Sequence, residues 1–200
     1  MIKICFFDLG GVVIDTGFET VFQHYQQQRA WNVEKLRAKI FSDKYELLLA
    51  GQLSLAEFIE WIAGEVDLTK EQLEEFADDY YYSGQVKEEV RNIIINLKQN
   101  CKVGLITNDI GYLQQKLDYL GVEGLFDRVI NSFTIGHCKP SLEFYQAVVD
   151  QLAVKPEEIL FVDDDQHSLQ VADQLGISVL DFKGPDRKST RLNSSHYRTS

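Results

Sequence analysis

Cysteine is scarce here and does not occur in pairs. Cys5, Cys101 and Cys138 are odd in number and show no CxxC spacing, which excludes a disulfide framework and a cysteine-based zinc site. A reducing, cytoplasmic setting is the expectation that follows. Basic charge is also in deficit. Twenty Lys and Arg against 31 Asp and Glu give a formal charge of −11 and a pI near 4.8. No stretch before residue 185 forms a basic patch, so the phosphate backbone of a nucleic acid would be repelled. No window approaches the roughly 20 apolar residues of a membrane span. The opening MIKICFFDLGGVVID has only a short apolar stretch, broken by Asp8, and lacks a basic leader and a small-residue cleavage site. P-loop and GxGxxG fingerprints are missing too, since Gly10 and Gly11 complete neither. Any phosphate site in so acidic a chain must therefore be built locally, from a metal ion, a few Lys or Arg side chains and helix N-termini.

What the chain does have is core material. With 44% apolar and 12% aromatic residues, 200 residues suffice for one domain, or one domain carrying an insertion. Five short apolar runs, Ile2 to Phe7, Val103 to Ile106, Arg128 to Ile130, Ile159 to Val162 and Ser178 to Leu180, have strand length. From the second onward, helical patterns separate them: Val86 to Gln99, Tyr112 to Leu120, Leu142 to Leu152, and His167 to Leu175 with Gly176 in the C′ position. Continuous apolar runs alternating with helices predict an α/β fold, a doubly wound parallel sheet covered on both faces. Ligands in such sheets sit at the carboxyl ends of the strands.

About ninety residues without a good strand separate the first two runs, too many for one crossover. Within them Phe18, Val21, Phe22 and Tyr25 recur at helical spacing, as do Val33, Leu36 and Ile40, and Leu55, Phe58, Ile59 and Ile62. Ser54 with Glu57 and Thr69 with Gln72 read as capping boxes. The expected organisation is a core of residues 1–15 and 85–185 with a helical cap of residues 16–84, crossed near Gly17 and Gly84. Of the aromatic set Phe18, Trp31, Trp61, Tyr80, Tyr81 and Tyr82, most belong to the cap's own core by spacing. Tyr81 or Tyr82 is expected to face a ligand, because the period cannot bury three in a row. From Gly184 the composition breaks: GPDRKSTRLNSSHYRTS has almost no apolar residues and four Lys or Arg. Residues 186–200 read as a disordered tail foreign to the natural protein.

Strand ends carry the polar groups. Asp8 follows the first run, Thr107 and Asn108 the second, Lys139 lies in a later loop, and Asp163, Asp164 and Asp165 close the fourth. Singly each has a bland reading, as a cap, a solvated charge or an acidic turn. Three adjacent carboxylates at the end of a buried strand, with Asp8 on another, repel one another unless a cation is present. Magnesium suits such oxygen donors, and manganese or cobalt could take its place. A carboxylate, a divalent cation, a hydroxyl and a lysine converging on one point make a phosphoryl-transfer site.

In order and identity these pieces resemble the haloacid dehalogenase-like hydrolase superfamily, whose four motifs read here as FFDLGGVV, GLITN, CKP and ILFVDDD. FDLGGVV, the helical insertion and AGQLSLAEFIEW look like the capped subgroup of glucose-1-phosphate phosphatases and epoxide hydrolase N-terminal domains. The resemblance implies a magnesium-dependent phosphate monoester hydrolase acting on a small phosphorylated metabolite, with a hexose phosphate as the expected substrate. Asp8 would be the nucleophile, passing through an aspartyl phosphate. Magnesium would be held by Asp8, the carbonyl of Gly10, and Asp163 or Asp164. Thr107 and the Asn108 N–H would bind phosphate oxygens, Lys139 would balance the charge, and Pro140 and Ser141 would open a helix whose dipole favours anions.

Gly10 departs from the commonest pattern, which has an acid/base Asp two residues after the nucleophile. Losing such a group costs about 10² to 10⁴ in rate. The glucose-1-phosphate subgroup also carries Gly there and is active, whereas the alternative is a non-catalytic phospholigand-binding or regulatory protein. Asp15, Asp165, His167 or a metal-held water are the candidate substitutes, with His167 read as a surface residue at a helix start. Ser168 stands where the family often has Asn. His24 is read as a packing or surface residue, and His137 and Cys138 lie in a loop that could line the phosphate pocket, with the bland reading favoured. A receiver domain would place its acidic pair after strand one, and a dehalogenase would not need the Asp163 to Asp165 cluster.

Overall fold

A computed structural model describes residues 1–184; the tail assigned to residues 186–200 lies outside them. Five strands form one parallel sheet in the order β5-β4-β1-β6-β7: β1 (Ile4–Phe7), β4 (Lys102–Thr107), β5 (Arg128–Asn131), β6 (Ile159–Asp163) and β7 (Ser178–Asp181). The alternation within β1 shows why the apolar runs are continuous. Cys5 and Phe7 join one core with Val103, Leu105, Val90, Ile94 and Leu117. Ile4 and Phe6 join the opposite core with Phe161, Phe144, Val148 and Ala172. The central strands β1, β4 and β6 thus bury both faces under helices: α6 (Glu88–Leu97) and α7 (Leu113–Leu120) on one side, α9 (Leu142–Asp150) and α10 (Gln166–Gln174) on the other.

The register places Gly104 opposite Phe6. A Cβ at Gly104 would fall 2.2 Å from the Phe6 ring. Gly104→Ala should therefore lower stability by about 1–3 kcal/mol through overpacking. Chemical denaturation checks this, and a loss below about 0.5 kcal/mol would mean the Phe6 ring has room to move.

Between β1 and α6 the chain inserts five further helices: α1 (Phe18–Arg29), α2 (Val33–Ile40), α3 (Asp43–Leu49), α4 (Leu55–Ala63) and α5 (Lys70–Tyr82). They share a separate core that includes Phe22, Tyr25, Leu36, Phe58, Ile62 and Phe76. Both capping boxes form, at Ser54 with Glu57 and at Thr69 with Gln72. Three features differ from the sequence expectation. Two short strands, β2 (Ile14–Asp15) and β3 (Gln85–Val86), pair antiparallel where no strand was expected. Val86 consequently belongs to this ribbon rather than to the following helix, which starts at Glu88. The seven-residue α3 and the four-residue α8 (Ser132–Ile135) are the other additions. All are too short for periodicity to reveal. Gly17 stands at the turn into α1 with φ +64°, where an added Cβ would meet the Ser83 carbonyl at 2.5 Å. The two chain crossings pass this close together, and only glycine fits the approach.

Candidate active site

Neighbouring strands deliver the site. β1 lies between β4 and β6, so the residues at their carboxyl ends, Asp8, Thr107 and Asp163, are adjacent by register alone. Lys139 comes from the loop after α8. Its ammonium donates to Asp8 at 2.7 Å and to Asp163 at 2.8 Å, with 7% of its side chain exposed. Asn108 explains how a loop lysine is held there. Its side-chain oxygen accepts from the Lys139 backbone N–H and its amide donates to the Lys139 carbonyl, both at 2.9 Å. Ser141, two residues after Lys139, caps α9 by accepting from the Phe144 N–H.

Asp8, Asp163 and Asp164 present oxygens within 4.8 Å of one another. Asp8 and Asp163 are buried and Asp164 is exposed. The Gly11 turn makes this possible, because a Cβ there would lie 2.1 Å from an Asp164 oxygen. One ammonium against three carboxylates leaves excess negative charge. Burial pushes the Asp8 carboxyl up to about 6, with Lys139 pulling it down and Asp163 adding to the rise. Burial also lifts Asp164, and Asp163 adds to it. Burial works against the charge on Lys139, yet Asp8 and Asp163 outweigh it and hold the ammonium above its ordinary value. The donor set is all oxygen and short of positive charge, so it fits a hard divalent cation.

Thr107 is buried, and its hydroxyl donates only a long bond, 3.2 Å, to the Asn108 carbonyl. Asp8, Gly10, Thr107, Asn108, Lys139, Asp163 and Asp164 all line one cavity of about 470 Å³, roofed by the five-helix insert. The structure brings together every residue the sequence singled out for the chemistry. It separates the proposed acid/base substitutes. Asp15 points away and pairs with Lys87 at 3.1 Å. Asp165 reaches the cavity but caps α10, accepting from the His167 and Ser168 N–H groups and the Ser168 hydroxyl. Partial burial opposes its charge, and those bonds outweigh it, holding the carboxyl below its usual range. His167 is exposed, as are His24 and His137. At Gly10, a Cβ would lie 3.1 Å from the Thr16 methyl, so Thr16 occupies the space beside it.

Sequence reasoning passed over Asp109 and Lys116. Asp109 is buried beside Thr107 and accepts from the Tyr81 hydroxyl at 2.5 Å, tying α5 to the sheet. Tyr81 lines the cavity, as expected of one of that pair. Ser132 ties α3 as well, donating to the Leu49 carbonyl at 2.6 Å and accepting from the Asp109 N–H. Lys116 is buried in the same wall. Its signal was in the pattern, because Leu113, Lys116, Leu117 and Leu120 at helical spacing put it on the inward face.

Known proteins are similar to this chain in sequence and fold. The D-ribitol-5-phosphate phosphatase of Bacteroides thetaiotaomicron is 24% identical over 187 residues, covering 88% of this chain and 89% of the relative. The glyceraldehyde 3-phosphate phosphatase of Methanocaldococcus jannaschii is 37% identical over 86 residues, 42% of this chain and 38% of the relative. A haloacid dehalogenase-family enzyme from B. thetaiotaomicron, solved with magnesium and inorganic phosphate, has the same fold. Its TM-score is 0.78 at 22% identity, over 94% of this chain and 98% of that one. The family model described as haloacid dehalogenase-like hydrolase matches residues 2–176, and the chain belongs to that family.

Proposed function

We propose that the protein is a magnesium-dependent phosphate monoester hydrolase whose nucleophile is Asp8. The observation that carries the reading is the Lys139 ammonium bridging Asp8 and Asp163, with Asp164 completing an oxygen cluster at the mouth of a roofed cavity. Asp8, the Gly10 carbonyl, Asp163 and Asp164 are the groups that would hold magnesium. When bound, the ion supplies charge neutralisation for an incoming phosphate. An Asp8 oxygen attacks phosphorus, forming an O–P bond while the ester P–O bond breaks and the alkoxide leaves, taking a proton from water. Water then attacks the aspartyl phosphate, releasing inorganic phosphate and freeing Asp8. The Thr107 hydroxyl and Asn108 N–H orient the phosphoryl oxygens, and Lys139 steadies their charge. The helical insert, residues 16–84, acts as a cap that keeps bulk water from the reacting groups.

The substrate is a small phosphorylated metabolite. The relatives' names put ribitol 5-phosphate and glyceraldehyde 3-phosphate first among compounds to try, and the resemblance read from the sequence adds hexose phosphates. Phosphate release from p-nitrophenyl phosphate and this panel, with and without magnesium, tests the reading. Release that depends on magnesium and stops with chelator is expected. None from folded, metal-loaded protein would favour the phospholigand-binding alternative that Gly10 raises.

A pH dependence follows from Asp8. Its folded-state value, about 6, exceeds the ordinary 3.8. A carboxyl shifted upward costs stability as pH rises through that window, so the metal-free fold should weaken between about pH 4 and 6. Magnesium requires the ionised form and should recover the loss above pH 6. The expected result is a magnesium-induced rise in melting temperature at pH 7.5 that shrinks toward pH 5. An increment constant across that range would contradict it.

A further inference from the structure

Beyond the carboxylate cluster, the cavity runs beneath the helical insert. Its volume, about 470 Å³, lies in the range small ligands fill. The wall on the insert side is aliphatic and aromatic, including Leu36, Ile40, Leu48, Phe58, Ile62 and Phe76. One cation in this lining has neither a carboxylate nor a hydrogen-bond acceptor as partner among the described residues. Lys116 is 8% exposed, and its ammonium makes no hydrogen bond or ion pair among the described residues. It lies 4.4 Å from the centre of the Tyr81 ring. The neighbouring negative charge, Asp109, is already engaged by the Tyr81 hydroxyl at 2.5 Å and the Gly111 N–H at 2.7 Å. Tyr80, also 8% exposed, turns its hydroxyl toward that of Tyr45 in the same lining.

A buried ammonium without a carboxylate is costly unless a partner arrives from outside. Burial pulls Lys116 down to about 8 and Asp109 opposes the fall, so at pH 7 it remains mostly a cation. Neither Lys116 nor Tyr80 has a part in the attack on phosphorus. A polyol would lay several hydroxyls against aliphatic side chains, where they would lose water without gaining partners. An apolar body with one anionic end would match both the wall and the free cation.

We infer that Lys116 forms a leaving-group subsite for a carboxylate, so the substrate is the phosphate monoester of an apolar hydroxy acid rather than of a polyol. This rests on the phosphatase reading and narrows its substrate.

The test separates binding from turnover. The magnesium-loaded full chain is titrated calorimetrically with 4-(phosphonomethyl)benzoate and with 4-methylbenzylphosphonate, which has a methyl group in place of the carboxylate; neither can be hydrolysed. Wild type should bind the carboxylate about tenfold more tightly, the scale of one charge-assisted hydrogen bond. That ratio should fall to near one in Lys116→Met and recover partly in Lys116→Arg. Lys116→Gln, which keeps a polar stem without charge, serves if the Met variant does not fold. For the corresponding phosphate esters the preference should appear in KM and not in kcat. Equal affinities in wild type, a ratio unchanged by Lys116→Met, or faster turnover of ribitol 5-phosphate than of the carboxylated ester would overturn the subsite. A clear phosphonate preference without release of phosphate from any ester would keep the subsite and reject the hydrolytic reading.

Discussion

Asp8→Asn should yield a folded protein that releases phosphate from no ester at a detectable rate, a loss of at least about 10³-fold. The substitution changes almost nothing in shape. The amide oxygen can still accept from the Lys139 ammonium that now bonds an Asp8 oxygen at 2.7 Å. What disappears is the negative charge, and with it the proposed nucleophile and one of three oxygens in the carboxylate cluster. Stability should change little at neutral pH, because two effects oppose. The variant loses attraction to Lys139, but it also loses the burial penalty and the repulsion from Asp163 that push the Asp8 carboxyl up to about 6. Melting curves alongside phosphate release make the outcome decisive. An Asn variant that keeps more than about one per cent of wild-type turnover would assign the attack to another group.

The sheet was legible because its central strands are buried on both faces. Ile4 and Phe6 serve one core and Cys5 and Phe7 the other, so the apolar run has no polar gaps and advertises a parallel strand. The candidate site was legible for a related reason: strand ends in such a sheet are adjacent, and the polar residues there stand out against apolar runs. The ribbon of Ile14–Asp15 with Gln85–Val86 was not legible, since two residues carry no period and their pairing spans the whole insert. Asn108 was read for its N–H, and its side chain proves to hold both backbone groups of Lys139. No local pattern encodes a bond between residues 31 apart. Lys116 stayed hidden because a lysine on the inward face of a helix is ordinarily discounted as a solvated charge.

Lys139→Met should be the most damaging single change to the unliganded site, costing about 3–5 kcal/mol at pH 7.5. Lys139 contacts two carboxylates at 2.7 and 2.8 Å, and its side chain is 7% exposed. Met has similar length and no charge, so it fills the space while leaving Asp8 and Asp163 facing each other without a cation. Asp8 would then hold its proton to a higher pH than the present value of about 6. The deficit should therefore be largest above neutrality and shrink toward pH 5, where a proton on Asp8 relieves the repulsion. Magnesium should restore part of the stability by supplying positive charge to the same oxygens. It should not restore turnover, which should stay down by about 10²- to 10³-fold, because the fixed charge that steadies the phosphoryl oxygens is gone. Lys139→Arg is the sharper control. The Asn108 side chain fixes the backbone at residue 139, so a longer, planar guanidinium cannot place a nitrogen where the ammonium sits, and activity should remain low. Denaturant midpoints at pH 5 and 7.5, with and without magnesium, separate these effects. A Met variant as stable as wild type at pH 7.5 without metal would show that the two carboxylates already share a proton, and that Lys139 positions phosphate without holding the site together.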